Sequence, residues 1–484
     1  MKIRSIRFNA AMNTLLTASN MLVSLITVPY VTRVLSVEGY GNVTFAQSLS
    51  TWLSAFCLMG VATYGIRECA RARDNERELV TTVLELLVIV SVCTVVVLCI
   101  FAIGIFCIPR LRQLSSLMWM FLVSTLLLSY GVEWYYQALE QYSYIAARSI
   151  LFKMLSLMLT FVLVRKPSDW LVYGSIVALV TCGNNIFNLF RLIRTVNWSM
   201  ASPINIKRHI RPLASFACLS IASSVYLNLD SVILGFSCAD NYEVGIYQLA
   251  VKIKGVMWSV LNAVLAVFIP RLSNYMATGS TEHFIALLKK GAQLTLNISF
   301  ALFGFLLVAG GPVSVFISGP SFSAATLPVQ IIGAVNFFSC MSYFIGLCIL
   351  TPTGMENQLA IGNMIGVPIS LVLNIVLDPV LGAIGAAVSI LIAEICIFSY
   401  QLYCVRGMGS RLFPVKNTMK IILGNVIALV LGSLVRDTIG FASPFASVLA
   451  CVAVYFGVLV LILIIVREDM AASIADKALQ RENK

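Results

Sequence analysis

The sequence predicts an all-α integral membrane protein with about 14 transmembrane helices, arranged as two pseudo-symmetric lobes around a central cavity. Three observations lead to this fold class: the composition, the recurrence of long apolar runs and the distribution of basic residues. Hydrophobic residues make up 59% of the 484 residues and charged residues 11%, whereas a soluble domain carries about 25% charged residues. The mean hydropathy of +0.93 therefore indicates a chain that lies within a membrane.

Apolar runs of about 20 residues, the length that crosses about 30 Å of hydrocarbon as a helix, recur along the whole chain. Strands of a β-barrel would alternate polar and apolar residues, and these runs do not. The breaks between runs are too short for a separate soluble domain. The predicted spans begin near residues 10, 41, 79, 113, 143, 169, 211, 241, 285, 322, 355, 380, 418 and 443.

Basic residues fall mainly on one side of these spans. With the N-terminus inside, the inner segments hold 25 of the 33 Lys and Arg residues, the outer segments hold six, and Lys252 and Lys254 lie within a span. Because inner loops are enriched in Lys and Arg, both termini are predicted to be cytoplasmic. The net charge of +12 is thus a topology signal and an attraction to anionic headgroups, and no nucleic-acid partner is predicted.

The polar stretch between spans six and seven predicts a division into two halves. The predicted domains are an N-terminal six-helix lobe, 1–200, a C-terminal six-helix lobe, 201–410, and two additional helices with a cytoplasmic tail, 411–484. A shift of 204 residues aligns Gly41 with Gly245, Ala46 with Ala250 and Arg67 with Arg271. The identities are few, so chance similarity is the alternative. Six spans separate the copies, which predicts a parallel repeat of the kind found in transporters.

Four predicted spans carry polar residues at helical spacing. Steps of three and four residues keep such side chains on one face of a helix. The stripes are Asn13, Thr17, Asn20, Ser24 and Thr27; Thr44, Ser48 and Thr51; Ser220, Ser224, Asn228 and Ser231; and Gln248, Lys252, Gly255, Ser259 and Asn262. Packing between helices is one explanation. Because the four stripes occupy repeat-related positions, a shared hydrated cavity is favoured.

Lys252 and Lys254 lie near the middle of the eighth predicted span, where a lysine costs about 2.5 to 3.5 kcal/mol on insertion scales. Lys252 belongs to the polar stripe and is the favoured ligand contact. Lys254 faces roughly the opposite side, where a cation-π contact with Tyr247 or Trp258 and an ion pair with another span are the alternatives. Asp230 is a candidate counter-ion for either lysine and a candidate for ion coupling.

Further ionisable residues lie within or near the spans. Lys153 and Glu394 are the deepest, and Glu394 is a second candidate for coupling or charge compensation. Glu85 and Glu133 lie closer to the inner surface, where we expect water to reach them. The cationic residues suit an anionic ligand, because Arg and Lys are the usual partners of phosphate.

No sequence motif indicates catalysis. The two histidines, His209 and His283, have no metalloprotease or Gly-rich phosphate motif beside them. The 13 cysteines lie almost all within spans without paired spacing, which is typical of small buried residues. An enzyme is therefore not predicted, and neither a metal nor a cofactor is expected.

Two stretches resemble a known family. The stretches 29–80 and 226–273 are similar to those of Wzx-type O-antigen and capsule repeat-unit flippases, the second through its segments "NLDSVILG" (228–235), "EVGIYQLAVKI" (243–253) and "IPRLS" (269–273). These flippases belong to the multidrug/oligosaccharidyl-lipid/polysaccharide (MOP) exporter superfamily. Ser36 stands where the family usually has glycine, and we expect no loss of function from it.

The resemblance implies a MATE/MurJ-like fold and transfer of undecaprenyl-diphosphate-linked oligosaccharide repeat units from the cytoplasmic to the outer leaflet of the bacterial inner membrane. It implies that Arg33, Lys252 and Lys254 meet the diphosphate or an acidic sugar. Lys153, Asn20, Asn228 and Gln248 complete the predicted substrate-binding residues. Coupling to an H⁺ or Na⁺ gradient is left open, as is association with a polysaccharide polymerase or glycosyltransferase assembly.

Three other functions remain open at this point. A lipid II flippase or a teichoic acid flippase would use the same diphosphate chemistry, and a membrane-embedded glycan polymerase belongs to a different class. A polymerase would need external catalytic residues, which the sequence does not indicate. A multidrug exporter is disfavoured because Lys252 would repel a cationic drug.

Overall fold

A computed structural model describes residues 6–407, 412–438 and 443–469. Within these ranges every regular element is helical. Several basic residues that the sequence predicts on the inner side lie outside the described ranges, so their placement stays a prediction: Lys2, Arg4, Arg411, Lys477, Arg481 and Lys484.

The chain forms two compact units, Met1–Gly245 and Ile246–Lys484. The helices of the first unit are α1 (Ile6–Val34), α2 (Val37–Leu58), α3 (Val61–Ala72), α4 (Glu76–Cys107), α5 (Pro109–Gln113), α6 (Ser115–Ser129), α7 (Glu133–Ala138), α8 (Tyr142–Leu163), α9 (Trp170–Thr195) and α10 (Lys207–Ser237). Helix α11 (Tyr242–Ala277) begins at the end of this unit and continues into the second. The predicted lobe boundaries stay a prediction.

The remaining helices belong to the second unit. They are α12 (Thr281–Ser318), α13 (Thr326–Phe344), α14 (Glu356–Leu381), α15 (Ala383–Cys404), α16 (Val415–Thr438) and α17 (Pro444–Ile465). A π-helical segment, Ile345–Leu350, continues α13.

The predicted fold class is confirmed. In the described ranges, 13 helices are long and apolar enough to cross a membrane, and α2 with α3, bent by 43°, would make a fourteenth. Two consecutive residues with positive φ, Met59 at 45° and Gly60 at 79°, separate α2 from α3. This left-handed pair interrupts the helical hydrogen bonding and turns the chain.

Helices α3, α4, α7 and α10 contribute to one hydrophobic core of the first unit. Its buried aromatic residues are Tyr64, Trp134, Tyr135 and Tyr136. The hydroxyl of Tyr136 donates to the carbonyl oxygen of Asn188 at 2.7 Å, so it ties α7 to α9 and satisfies a polar group that burial would otherwise make costly.

Two features fix the loops of the first unit. Ser36 caps α2, because its Oγ accepts the backbone N–H of Gly39 at 3.0 Å. Arg110 holds the turn before α11: Nε and Nη1 donate to the carbonyl oxygens of Gly235 and Ala239 at 3.1 and 2.7 Å, and Nη2 donates to Asn241 Oδ1 at 2.8 Å. Ser36, which departs from the family pattern, therefore has a structural role as the N-cap of α2.

In the second unit, apolar side chains of α11, α12 and α13 form a continuous core that includes Leu265, Leu288 and Phe344. Helices α16 and α17 pack against each other and against α12. The hydroxyl of Tyr455 on α17 donates to Asn425 Oδ1 on α16 at 2.7 Å, which joins this pair of helices in the hydrocarbon region.

Exposed surfaces of the spanning helices are strongly apolar. On α4 the exposed side chains are Val92, Val95, Val96, Ile100, Ile103 and Phe106. Exposed apolar residues of this density would be unfavourable in water, but they match the acyl chains of a bilayer. The composition of these surfaces agrees with a membrane-embedded chain.

Candidate functional site

The polar stripe of α1 is open along most of its length. Asn13, Thr17, Asn20 and Ser24 are exposed, and Thr27 is half-buried. Within the described part of the first unit these side chains are exposed, so packing inside that unit does not account for this stripe. Asn20, a predicted substrate contact, is accessible to a ligand.

Lys153 on α8 lies beside the same helix. It is half-buried, and its Nζ donates to Ser19 Oγ on α1 at 3.2 Å. Arg33 is exposed in the last turn of α1, where a cation also interacts favourably with the helix dipole. The first unit thus holds two of the predicted cationic contacts, one half-buried and one exposed.

The stripe of α10 is more enclosed. Asn228 is half-buried, and its Nδ2 donates to the carbonyl oxygen of Ser224 on the same helix at 3.2 Å. Asp230 is only 6% exposed, and Ser231 is buried as well. The assignment of Asp230 to coupling or charge compensation stays a prediction.

The stripe of α11 changes from buried to exposed along the helix. Gln248 is buried, whereas Lys252, Gly255 and Asn262 are exposed. The hydroxyl of Tyr343 on α13 donates to Asn262 Oδ1 at 3.1 Å. Lys252 is thus an exposed residue in the middle of a membrane-crossing helix, and its contact with a ligand stays a prediction.

Lys254 pairs with another span. Its Nζ lies 4.0 Å from Glu394 Oε1 on α15, with side chains 20% and 6% exposed. Of the alternatives for Lys254, the ion pair is therefore the one that forms. Partial burial of both charges makes the pair interdependent, because loss of one partner removes a compensating charge from a low-dielectric region.

The expectation that water simply reaches Glu85 is wrong. Glu85 is 1% exposed, and it accepts the backbone N–H of Asn205 at 2.6 Å, Arg208 Nε at 2.8 Å and His209 Nε2 at 2.8 Å. The hydroxyl of Tyr64 lies 2.8 Å from His209 Nδ1. With Glu85 ionised, His209 donates through Nε2 and accepts from Tyr64 through Nδ1.

This network was missed because its members are far apart in sequence. The available signals were an acidic residue within the apolar part of α4 and the basic cluster "KRHIR" at 207–211. The half-exposed Glu133 does reach the surface, and its Oε2 also pairs with the buried Arg148 at 3.2 Å. In the described residues, no group of three or more His, Cys, Asp or Glu side chains could hold a metal ion.

Comparisons with known proteins extend over most of the chain. The profile of the "Polysaccharide biosynthesis protein" family matches residues 6–276. A protein of Escherichia coli strain K12 named as an O-antigen transporter is 25% identical over 413 residues, which are 83% of this chain and 97% of that protein. A protein of Haloferax volcanii named as the flippase AglR is 26% identical over 231 residues, 46% of each chain.

Two solved structures have a similar fold. The inward closed conformation of the lipid II flippase MurJ gives a TM-score of 0.64 at 15% identity and covers 95% of this chain and 99% of that one. An inward-facing multidrug resistance MATE family transporter of the MOP superfamily gives a TM-score of 0.62 at 13% identity, covering 81% and 95%. The MATE/MurJ-like helical fold is therefore confirmed.

Proposed function

Because this chain belongs to the polysaccharide biosynthesis protein family, we propose that it is a flippase for undecaprenyl-diphosphate-linked oligosaccharide repeat units. It moves them from the cytoplasmic to the outer leaflet of the bacterial inner membrane, with both of its own termini in the cytoplasm. The resemblance to Wzx-type flippases and the relatives named as transporters support this function. No bond is made or broken in such a step.

The observation that carries the proposal is the exposed Lys252 in the middle of α11. A lysine at membrane depth is costly unless it faces water or a polar ligand. Exposed polar residues accompany it on its own helix and on α1. A phosphate-bearing headgroup is a suitable ligand for such an ammonium group, with Arg33, Lys153, Asn20, Asn228 and Gln248 as further proposed contacts.

The mechanism is electrostatic. The diphosphate and glycan leave the leaflet for a hydrated cationic site, whereas the isoprenoid tail remains in lipid, because its methylenes gain nothing from a polar surrounding. The site then opens to the opposite leaflet by alternating access. Asp230 and Glu394 are the residues proposed for coupling to an H⁺ or Na⁺ gradient or for charge compensation.

The alternative functions differ in which lipid-linked glycan they transport and in whether they change polymer length. A lipid II or teichoic acid flippase would move a different glycan on a related carrier. A glycan polymerase would act after translocation and change polymer length. For the proposed repeat-unit flippase, a polymerase or glycosyltransferase assembly is a proposed partner. The translocation step itself does not require this partner.

The test is deletion of the coding sequence in the native bacterium, followed by measurement of lipid-linked oligosaccharide in each leaflet with an impermeant label. We expect complete repeat units to accumulate on the inner leaflet and wild type to clear them. Lys252→Ala should restore much less transport, whereas Lys290→Ala, which removes an exposed lysine outside the stripe, should behave as wild type.

Other outcomes would contradict the proposal. Normal arrival of repeat units on the outer leaflet together with altered polymer length would indicate a polymerase. Accumulation of lipid II instead of oligosaccharide repeat units would indicate the peptidoglycan alternative. Full complementation by Lys252→Ala would remove this lysine from the binding site.

A further inference from the structure

A charged cavity, with three arginines and the two glutamates Glu68 and Glu78 in its lining, lies in the first unit. This cavity of about 260 Å³ is formed between α3 and the N-terminal ends of α4 and α10, and its lining includes Tyr64, Arg67, Arg71, Glu78, Arg208 and His209. These helix ends belong to the side that the distribution of basic residues predicts to be cytoplasmic. The cavity therefore borders the proposed inner surface of the membrane.

Glu68 positions two of the three arginines. Its Oε1 accepts Arg67 Nε at 2.8 Å and Arg71 Nη1 at 3.2 Å. The guanidinium carbon of Arg67 also lies 5.1 and 4.9 Å from the ring centroids of Tyr64 and Phe216. A carboxylate and two aromatic rings therefore hold the Arg67 side chain in one place.

Glu85 positions the third arginine from beneath the cavity. Its carboxylate accepts hydrogen bonds from Nε and Nη2 of Arg208, and Thr82 Oγ1 accepts a hydrogen bond from the same Nη2 at 3.2 Å. His209, 3% exposed, joins Glu85 to the Tyr64 hydroxyl. The position of Arg208 thus rests on a buried hydrogen-bond network, which lowers the conformational cost of binding a ligand.

We propose that this cavity binds a phosphate group, supplied by the headgroup of an anionic phospholipid or by a soluble phosphate compound. Each guanidinium has five N–H donors, more than its carboxylate partner accepts, and their planar arrangement suits phosphate oxygens. Basic pockets at the cytoplasmic ends of spans are suited to anionic headgroups. Its lining residues are not among those proposed for transport, and the proposal does not rest on that function.

Binding is tested on the purified full-length protein in detergent by native mass spectrometry during titration with dioleoylphosphatidylglycerol. We expect this lipid to bind more tightly than dioleoylphosphatidylcholine, whose choline group the arginines repel. Arg67→Gln and Arg71→Gln should each weaken its binding at least about tenfold, the size of a charged hydrogen bond. The matched control is Arg77→Gln, an exposed arginine that is not among the cavity-lining residues, and it should leave binding unchanged.

A gain in binding separates the site from a general loss of folding. Glu78 lines the cavity and is exposed, so its carboxylate repels an anion without supporting the core. Glu78→Gln is expected to tighten phosphatidylglycerol binding, a result that a misfolded protein would not give.

Competition identifies the source of the phosphate. If millimolar inorganic phosphate displaces phosphatidylglycerol, the result supports a site for a soluble phosphate compound. If the lipid stays bound, the result supports a site for a phospholipid headgroup. Equal binding of both lipids, or equal phosphatidylglycerol binding by wild type and both arginine variants, would overturn the proposal. Because no transport is measured, its failure and the failure of the flippase function are distinguishable.

Discussion

Gly41 and Gly245 meet in a reciprocal contact. A Cβ atom on Gly41 would overlap the carbonyl oxygen of Asn241 and lie 2.9 Å from the nitrogen of Gly245, and a Cβ atom on Gly245 would overlap the carbonyl oxygen of Val37. Each glycine therefore opposes the residue four positions before the other. The 204-residue shift that aligns Gly41 with Gly245 also aligns Val37 with Asn241, so repeat-related positions contact each other here.

Gly41→Ala and Gly245→Ala should each destabilise the protein by about 1 to 3 kcal/mol or more, because the added methyl group meets backbone that cannot rotate away. Thermal unfolding of the detergent-purified protein measures the effect. Gly457→Ala is the control, since a Cβ there meets nothing within 4 Å; it should be neutral or stabilising by up to about 1 kcal/mol.

Arg110→Lys should destabilise the turn before α11. Lysine cannot donate at once to Gly235, Ala239 and Asn241 with the geometry of a guanidinium, and we expect a loss of about 1 to 3 kcal/mol. Arg112→Lys, at an exposed position two residues away, should stay within about 0.5 kcal/mol of wild type. Equal melting temperatures for both variants would contradict the role of Arg110.

Glu85→Gln should weaken the junction of α4 with α10. The amide keeps a single acceptor oxygen for donors that include Asn205, Arg208 and His209, so a loss of at least about 2 kcal/mol in unfolding free energy is expected. Asp74→Asn, whose parent side chain is 93% exposed, is the control and should change stability by less than about 0.5 kcal/mol. Unfolding free energies measured for Glu85→Gln and Asp74→Asn test this prediction.

Removal of one member of the Lys254–Glu394 pair should cost more than removal of both. Lys254→Met removes this cation from the largely buried Glu394 carboxylate, and Lys254→Met/Glu394→Gln replaces the pair by neutral groups of similar size. A thermal double-mutant cycle should give a coupling energy of at least about 1 kcal/mol. Strict additivity would show that the 4.0 Å pair contributes no interaction.

Cysteine labelling checks the proposed orientation. Lys166→Cys lies in a predicted outer segment and Glu282→Cys in a predicted inner one, and both positions are exposed. With the native cysteines replaced by serine, an impermeant maleimide should label the first variant alone in intact cells, and opening the membrane should allow labelling of the second. The reversed pattern would place both termini outside.

The transmembrane helices were largely predictable from the sequence, because hydrocarbon thickness sets the length of each apolar run. Predicted starts near 10, 41 and 211 compare with Ile6, Val37 and Lys207 in the structure. The helical continuation from Val61 to Ala72 was not recognised, since its charged residues interrupt the apolar run that indicates a span.

The contacts of individual side chains were predictable only where helical periodicity decides them. Periodicity assigns Lys252 to a polar face of its helix, and the residue is exposed in the structure. It left Lys254 undecided, because the choice depended on Glu394, which lies 140 residues further along the chain. Glu85 was misjudged for the same reason: its partners are brought to it by tertiary packing and not by local pattern.

The Glu85–Arg208 pair also has a consequence for the order of biosynthesis. The two residues are 123 positions apart, so at about 5 to 20 residues per second the ribosome needs about 6 to 25 s to supply the arginine after the glutamate. During that interval α4 resides in the membrane without its counter-charge. Glu85 is nine residues from the first residue of α4, roughly 14 Å along the helix axis, so the nascent helix can keep the carboxylate near the headgroups until α10 emerges and completes the pair.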